Sequence, residues 1–326
     1  MLEHGGNLRQ AAAKYGIPVG EWLDLSTGIN PRGLPVPPLP ATAWSRLPET
    51  EDGLESAARA YYGAEQLLPV AGSQAAIQTL PWLCPPCRVG LLDASYAEHH
   101  QAWARAGHQI LTLEGQCDIE QTLPLLDVLV LVQPDNPSGV LYPMERLLAW
   151  HERLAERGGW LLVDEAFMDA TPERSLLPHA RPGLIVLRSL GKFFGLAGVR
   201  VGFVSAQAEL LVRLADRLGP WSVSGPARQV AVAALSDRAW QAETRDYLRQ
   251  AGERLYGLLS RYGLKPDGGC ALFQWHRTPR AAALHDALAR RGILTRRFVY
   301  PRSLRFGLPG AASDWQRLTA ALEACT

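Results

Sequence analysis

The chain has 326 residues, and 33 lysines and arginines against 32 aspartates and glutamates leave a formal net charge of +1. That balance excludes a nucleic-acid groove or a polybasic membrane face as the main partner surface, and 47% apolar with 20% charged residues excludes a disordered or fibrous chain. No run approaches the roughly 18 apolar residues that span a bilayer, and the opening MLEHGGNLRQAAAKYG is polar where a signal peptide needs an apolar run, so a cytoplasmic protein is expected.

At roughly 150 residues per domain, the length suggests one large domain and a smaller one. Short apolar runs at Leu67–Ala71, Arg88–Asp93, Gln109–Leu113, Val128–Gln133, Trp160–Asp164, Leu184–Ser189 and Val201–Ser205 read as strands. Helical patterns fall between most of them, at Ser73–Leu83, Glu98–Ala106, Pro143–Arg157 and Gln207–Arg217. Alternation of buried strands with helices predicts an α/β fold, a three-layer large domain on a mostly parallel seven-stranded sheet. After about residue 235 the pattern changes. A long helix near Arg238–Tyr262 leads to strands near Ala271–Trp275, Leu294–Phe298 and Leu304–Gly307, with helices around Pro279–Arg291 and Ser313–Ala324. This predicts a small α+β C-terminal domain. The proline-rich stretch 31–40 reads as an extended connection. The domains expected are an N-terminal arm (1–30) contributing to the substrate site, a large cofactor-binding domain (31–236) and the small domain (237–326). The ten tryptophans, Trp44, Trp82 and Trp221 among them, read first as core.

Five scattered cysteines fit a reducing compartment and no disulfide framework. Cys84-Pro-Pro-Cys87 has the spacing of a metal knuckle or redox pair. A structural zinc site wants four ligands and no second pair answers this one, while the prolines make it a loop; no metal is expected. Only three basic residues are lysines: Lys14, Lys192 and Lys265. Arginine cannot form a Schiff base, whereas a desolvated lysine can lose its proton and attack a carbonyl. Lys14 and Lys265 read as surface; Lys192 lies in a segment rich in glycine and phenylalanine.

In an open α/β sheet, ligands collect beyond the carboxyl ends of the strands. Four strand ends are unusual: Gly72-Ser73, Pro134-Asp135-Asn136-Pro137-Ser138-Gly139, Asp164-Glu165-Ala166-Phe167, and Ser189-Leu190-Gly191-Lys192 running on to Arg200. Singly, each has an ordinary reading as a helix cap, a turn, a buried ion pair or a loop. Together they supply an anion site, a buried carboxylate of the kind a pyridinium nitrogen requires, and a lysine to carry an aldehyde.

The assembly resembles the fold type I pyridoxal 5′-phosphate enzymes, in the branch that holds the histidinol-phosphate aminotransferases. It is most similar there to the L-threonine-O-3-phosphate decarboxylases of cobalamin biosynthesis. His4-Gly5-Gly6-Asn7, Tyr15-Gly16-Ile17-Pro18 and Leu23-Asp24-Leu25-Ser26-Thr27-Gly28-Ile29-Asn30-Pro31 carry the likeness, with Asp-Glu-Ala-Phe where aminotransferases have Asp-Glu-Ala-Tyr. The resemblance implies Lys192 as the Schiff-base lysine and proton carrier, Asp164 on the pyridine nitrogen, and Asn136 on the phenolic oxygen. Tyr96 would stack on the ring with His99 close by, and Gly72, Ser73, Ser189 and Arg200 would hold the cofactor phosphate. Arg305 would grip the substrate carboxylate. His4, Asn7, Asn30 and Arg296 would contact substrate, His4 and Arg296 facing its phosphate. A homodimer with cofactor sites near the subunit interface is implied too. Three departures count against aminotransferase chemistry: Gly191 for Ser or Thr, Leu47 for a tyrosine that reaches the partner's phosphate, and Phe167 for a tyrosine. The function implied is decarboxylation of L-threonine O-3-phosphate to (R)-1-amino-2-propanol O-2-phosphate and CO2; the alternative is an aminotransferase acting on a phosphorylated amino acid such as histidinol phosphate.

Overall fold

A computed structural model describes residues 4–325. Its strands, in chain order, are β1 (Leu23–Leu25), β2 (Leu68–Val70), β3 (Arg88–Leu92), β4 (Gln109–Leu113), β5 (Val128–Val132), β6 (Trp160–Asp164), β7 (Leu184–Ser189), β8 (Gly202–Ser205), β9 (Gly268–Cys270), β10 (Phe273–Arg277), β11 (Ile293–Phe298) and β12 (Ser303–Gly307). The chain divides into two compact units. The larger comprises Leu34–Asn136 and Leu141–Ala242; the smaller takes the residues up to Gly33, Pro137–Val140 and Glu243 onward.

The larger unit is built on a seven-stranded sheet in the order β2-β8-β7-β6-β5-β3-β4. The five central and outer strands β7, β6, β5, β3 and β4 run parallel, while β8 is antiparallel to both β7 and β2. Strand β5, Val-Leu-Val-Leu-Val, is buried at every position, as a strand with helices on both faces must be. Val70, Ile77, Val89, Trp103, Val130, Leu162, Ile185 and Val204 form one apolar cluster around it. Truncating such a residue, Leu162→Ala for instance, costs about 2–5 kcal/mol. The predicted helix at Ser73–Leu83 is α-helical only to Thr79 and tightens into a 3₁₀ turn over Leu80–Leu83, where Pro81 removes a helical donor.

The smaller unit carries a five-stranded sheet, β1-β11-β12-β10-β9. Strand β1 joins it in parallel register, Leu23 opposite Ile293. Gly139 and Gly268 let the segment Pro137–Val140 lie against β9: a Cβ on Gly139 would fall 2.1 Å from the Gly269 carbonyl, and one on Gly268 would fall 2.0 Å from that of Ser138. Three tryptophans correct the expectation of core. Trp44, Trp82 and Trp221 are all more than half exposed, because they sit on a short helical turn, a 3₁₀ turn and a positive-φ turn respectively. Trp103 fills the core instead.

Candidate active site

The sheet directions place the cofactor candidates. Gly72 and Ser73 follow β2, Tyr96 follows β3, Asn136 follows β5, and Asp164 and Ser189 end β6 and β7. These strands are parallel to one another, because β2 and β7 each run opposite to β8. The same reversal brings Arg200, two residues before β8, to that edge, with Gly202 in register with both Ser189 and Val70. Seven positions scattered from 72 to 200 therefore line one edge of one sheet.

Gly72 and Arg200 are fitted to each other. Gly72 has φ +75°, and a Cβ there would fall 2.5 Å from Arg200 Nη2. Arg200 is itself a non-glycine residue in the left-handed region, φ 59°, a conformation that costs free energy and persists where the surroundings hold it. Its Nη1 donates to the Ala197 carbonyl at 3.1 Å. Gly202 approaches so closely that a Cβ would meet Ser73 N at 2.5 Å. The result is a cradle of backbone N–H groups with one guanidinium, suited to a phosphate. Ser189 Oγ accepts from Gly191 N–H at 3.2 Å. A Cβ on Gly191 would lie 3.3 Å from both that oxygen and Ala197 Cα, which is a steric reason for glycine at this departure.

Asp164 and Glu165 are adjacent buried carboxylates with different partners. Glu165 accepts from Arg188 at 2.9 Å, from Ser175 Oγ at 2.5 Å and from Leu176 N–H at 2.7 Å. Arg188 also pairs with Asp169. Burial raises the Glu165 pKa, with the Arg188 charge opposing the rise. This is the internal ion pair that the sequence offered as the ordinary reading of the motif. Asp164, 3% exposed, has no guanidinium or ammonium partner among the described residues. Its Oδ2 takes the N–H of His99 Nε2 at 3.0 Å and its Oδ1 takes Ala166 N–H at 3.1 Å. His99 is 1% exposed and its Nδ1 has no hydrogen-bond partner among the described residues.

Lys192 is half-buried with its ammonium 5.4 Å from the centre of the Phe167 ring. Tyr96 meets the His99 ring edge-on, centroids 6.2 Å apart, and its hydroxyl donates to Gln74 Oε1 at 3.4 Å. Gln74 and Gln78 in turn donate to buried Glu98 at 2.6 and 3.0 Å. Gln74 and Glu98 thus orient Tyr96, a role that nothing in the sequence signalled.

The substrate candidates lie in the smaller unit. Gly6 N–H donates to Ser26 Oγ at 2.8 Å, and a Cβ on Gly5 would fall 2.3 Å from the Ser26 carbonyl. The Gly-Gly pair is therefore what lays the N-terminal segment on the end of β1. Arg305, buried, donates to the same Ser26 carbonyl at 2.6 Å. In the antiparallel pair β11–β12, Arg296 stands directly opposite Arg305. Like charges so placed repel unless an anion lies between or near them. A cavity of about 410 Å³ is lined by His4, Asn7, Lys14, His285, Arg296 and Arg297. The acid beside it, Asp286, is engaged by Tyr15 at 2.9 Å and by Arg290 at 2.8 Å. Asn30 and Arg305 lie outside this lining; the Asn30 side-chain oxygen accepts Arg32 N–H at 2.9 Å. Lys14, read as surface, is exposed and also lines the cavity. Ser26 and His285 were not singled out from sequence.

Residues 43–324 match the model of the family described as aminotransferase class I and II. The chain belongs to that family. Among curated relatives, it is 58% identical to the threonine-phosphate decarboxylase of Pseudomonas aeruginosa, over 99% of this chain and 97% of that protein. It is 43% identical to the threonine-phosphate decarboxylase of a Sinorhizobium species, over 98% and 97%. The histidinol-phosphate aminotransferase of Sinorhizobium meliloti, solved with pyridoxal-5′-phosphate, superposes with a TM-score of 0.84 at 19% identity, over 100% of this chain and 98% of that one; this likeness is one of fold. Pyridoxal phosphate fits the donor set of the class I and II fold as it stands in this chain. The Gly72–Arg200 cradle suits its phosphate, and Asp164, buried with no guanidinium or ammonium partner among the described residues, suits a pyridinium N–H.

Proposed function

We propose that the protein is a pyridoxal-phosphate-dependent decarboxylase that converts L-threonine O-3-phosphate to (R)-1-amino-2-propanol O-2-phosphate and CO2. The observation that carries this reading is the His4-Gly5-Gly6-Asn7 opening. Pinned to Ser26, it gives His4 and Asn7 to a cavity that also holds Arg296, a setting for a dianionic phosphate on a small amino acid. Full-length relatives named as threonine-phosphate decarboxylases support the same conclusion.

When bound, the cofactor supplies an aldehyde that takes up the substrate amine and a ring that accepts the electron pair left by CO2. Lys192 would anchor the cofactor and carry a proton to the substrate Cα. Asp164 would hold the charge of the ring N–H, with His99 fixing the orientation of Asp164. Tyr96 would pack on the ring, Asn136 would hydrogen-bond the phenolic oxygen, and Gly72, Ser73, Ser189 and Arg200 would hold the cofactor phosphate. Phe167 presents an apolar face to Lys192, so no phenol competes for the lysine's proton. In the smaller unit, Arg305 binds the substrate carboxylate, His4 and Arg296 its phosphate, and Asn7 and Asn30 complete the contacts.

The protein acts in the cytoplasm as a homodimer; no helix among the described residues is long and apolar enough to cross a membrane. Trp44 and Leu47, 70% and 65% exposed, are the apolar surface we assign to the partner subunit, and sedimentation as a monomer at micromolar concentration contradicts that assignment. The chemistry is tested by incubating holoenzyme with L-threonine O-3-phosphate and no 2-oxo acid. CO2 release that disappears in Lys192→Ala is expected. CO2 release unchanged in that variant, or none from the native enzyme, overturns the reading.

A further inference from the structure

At the opposite edge of the large sheet, before the strands begin, three ligand-type side chains meet. Cys84 and Cys87 precede β3, and His108 precedes β4. Their ligand atoms lie within 4.8 Å of one another. We propose that Cys84, Cys87 and His108 form a binding site for a thiophilic divalent cation, zinc foremost, with the fourth position open to water.

The state of the histidine carries the argument. His108 Nε2 lies 2.8 Å from the Pro81 carbonyl, so that nitrogen must be the donor. Its Nδ1 lies 3.2 Å from Cys87 N, an N–H group, so that nitrogen must be the acceptor. Both contacts select the neutral tautomer with its lone pair on Nδ1, which also stands 3.2 Å from Cys87 Sγ. A histidine whose outer nitrogen is fixed by a carbonyl while the inner one faces thiols is the arrangement that orients a zinc ligand. The ring is buried, and Trp103 packs on it edge-on with centroids 4.7 Å apart.

Ligand spacing agrees. Zn–S near 2.3 Å and Zn–N near 2.0 Å in a tetrahedron require about 3.8 Å between sulfurs and about 3.5 Å between sulfur and nitrogen. The ligand atoms, within 4.8 Å of one another with Cys87 Sγ and His108 Nδ1 3.2 Å apart, bracket those values, and on binding the Cys87 N–H gives up one long hydrogen bond. Pro85 and Pro86 restrict the backbone between the thiols, so little freedom remains to be lost on binding. A dithiol redox site would place its first cysteine at a helix N-terminus; here both lie in the loop between the Leu80–Leu83 turn and β3. On binding, each thiol proton leaves to solvent and each sulfur donates its pair to the cation. The site lies at the end of the sheet away from the strand ends that lead to Lys192.

The test uses reduced, metal-stripped holoenzyme titrated with Co2+ and then Zn2+. One equivalent of Co2+ should give a thiolate-to-cobalt charge-transfer band, and Zn2+ should abolish it. Cys84→Ser and Cys87→Ser should lose the band and weaken binding about 100-fold or more, with His108→Ala weakened about tenfold or more. Retained cofactor absorbance and far-UV circular dichroism show that the variants are folded. Zn2+ should raise Tm for the native enzyme and not for Cys84→Ser. No band with excess Co2+ overturns the proposal, as does a band that survives both cysteine variants. Isolation of a Cys84–Cys87 disulfide that, once reduced, still takes up no metal overturns it too.

Discussion

Replacing Gly72 with alanine places a methyl group 2.5 Å from Arg200 Nη2 and 3.0 Å from its Cζ, well inside van der Waals contact. Two costs follow, and they can be separated. The backbone there, φ +75° and ψ 156°, is a conformation essentially reserved for glycine and charges an alanine about 1–3 kcal/mol of stability. The guanidinium must also withdraw from the turn that it lines. A charge-assisted hydrogen bond to phosphate is worth about 1.5–3 kcal/mol, so losing one weakens cofactor binding about 10- to 100-fold. Gly158 supplies the control. It has φ +72° in the same unit, and a Cβ there meets nothing within 4 Å. Gly158→Ala should lower Tm through its backbone alone and leave cofactor affinity unchanged. The assay is absorbance titration of apoenzyme with pyridoxal phosphate, alongside thermal melts. Native affinity in Gly72→Ala refutes the assignment of Gly72 and Arg200 to the cofactor phosphate.

Asp164→Asn keeps the shape of the side chain and removes its charge; turnover should fall about 100- to 1,000-fold with the cofactor still bound through Lys192, and a loss below tenfold contradicts the pairing with the ring nitrogen. Arg305→Lys keeps a charge but loses the planar fork, so KM for the phosphorylated amino acid should rise about tenfold or more in steady-state assays with cofactor affinity unaltered. Arg228 joins Asp52 at 2.6 and 2.7 Å and Glu55 at 2.8 Å, and although burial opposes it, the hydrogen bond from the Arg228 guanidinium holds the Asp52 pKa below its usual value. A depressed carboxylate contributes stability above its unfolded pKa, near 3.9, and loses that contribution as pH falls through its folded pKa. Arg228→Met should therefore cost up to about 1 kcal/mol at pH 7, and urea melts should show that difference shrinking below about pH 4.

Strands β4, β6 and β7 were legible residue for residue, because β-branched and leucine runs between polar breaks have one reading in an α/β chain. The helices Leu54–Tyr62 and Gly225–Ser236 were not. The first buries Leu54, Ala58 and Tyr62 at helical spacing, but it is only nine residues long and its middle anchor is an alanine; the second opens on Gly-Pro and alternates valine with alanine, so it shows no clean helical stripe. Strand β1 is three residues long, and its partner β11 lies near the other end of the chain; no local pattern encodes such a pairing. The candidate cofactor residues were visible because most of them end or closely follow a strand, and strand ends can be counted. The supports were not: Gln74 and Glu98 reach Tyr96 through side chains, and His108 reaches Cys87 only because β3 and β4 pair in parallel. Asp164 and Glu165 are neighbours in sequence with the same formal charge, and only their partners, His99 for one and Arg188 for the other, tell a candidate catalytic carboxylate from a structural one.

The most direct test of the central claim follows the amino nitrogen. L-Threonine O-3-phosphate labelled with 15N at the amine and 13C at the carboxyl is turned over by holoenzyme, with and without a 2-oxo acid. The account predicts labelled CO2 and 1-amino-2-propanol O-2-phosphate that keeps its 15N, at a rate indifferent to the 2-oxo acid. Transfer of 15N to the 2-oxo acid, with the labelled carboxyl retained, contradicts it.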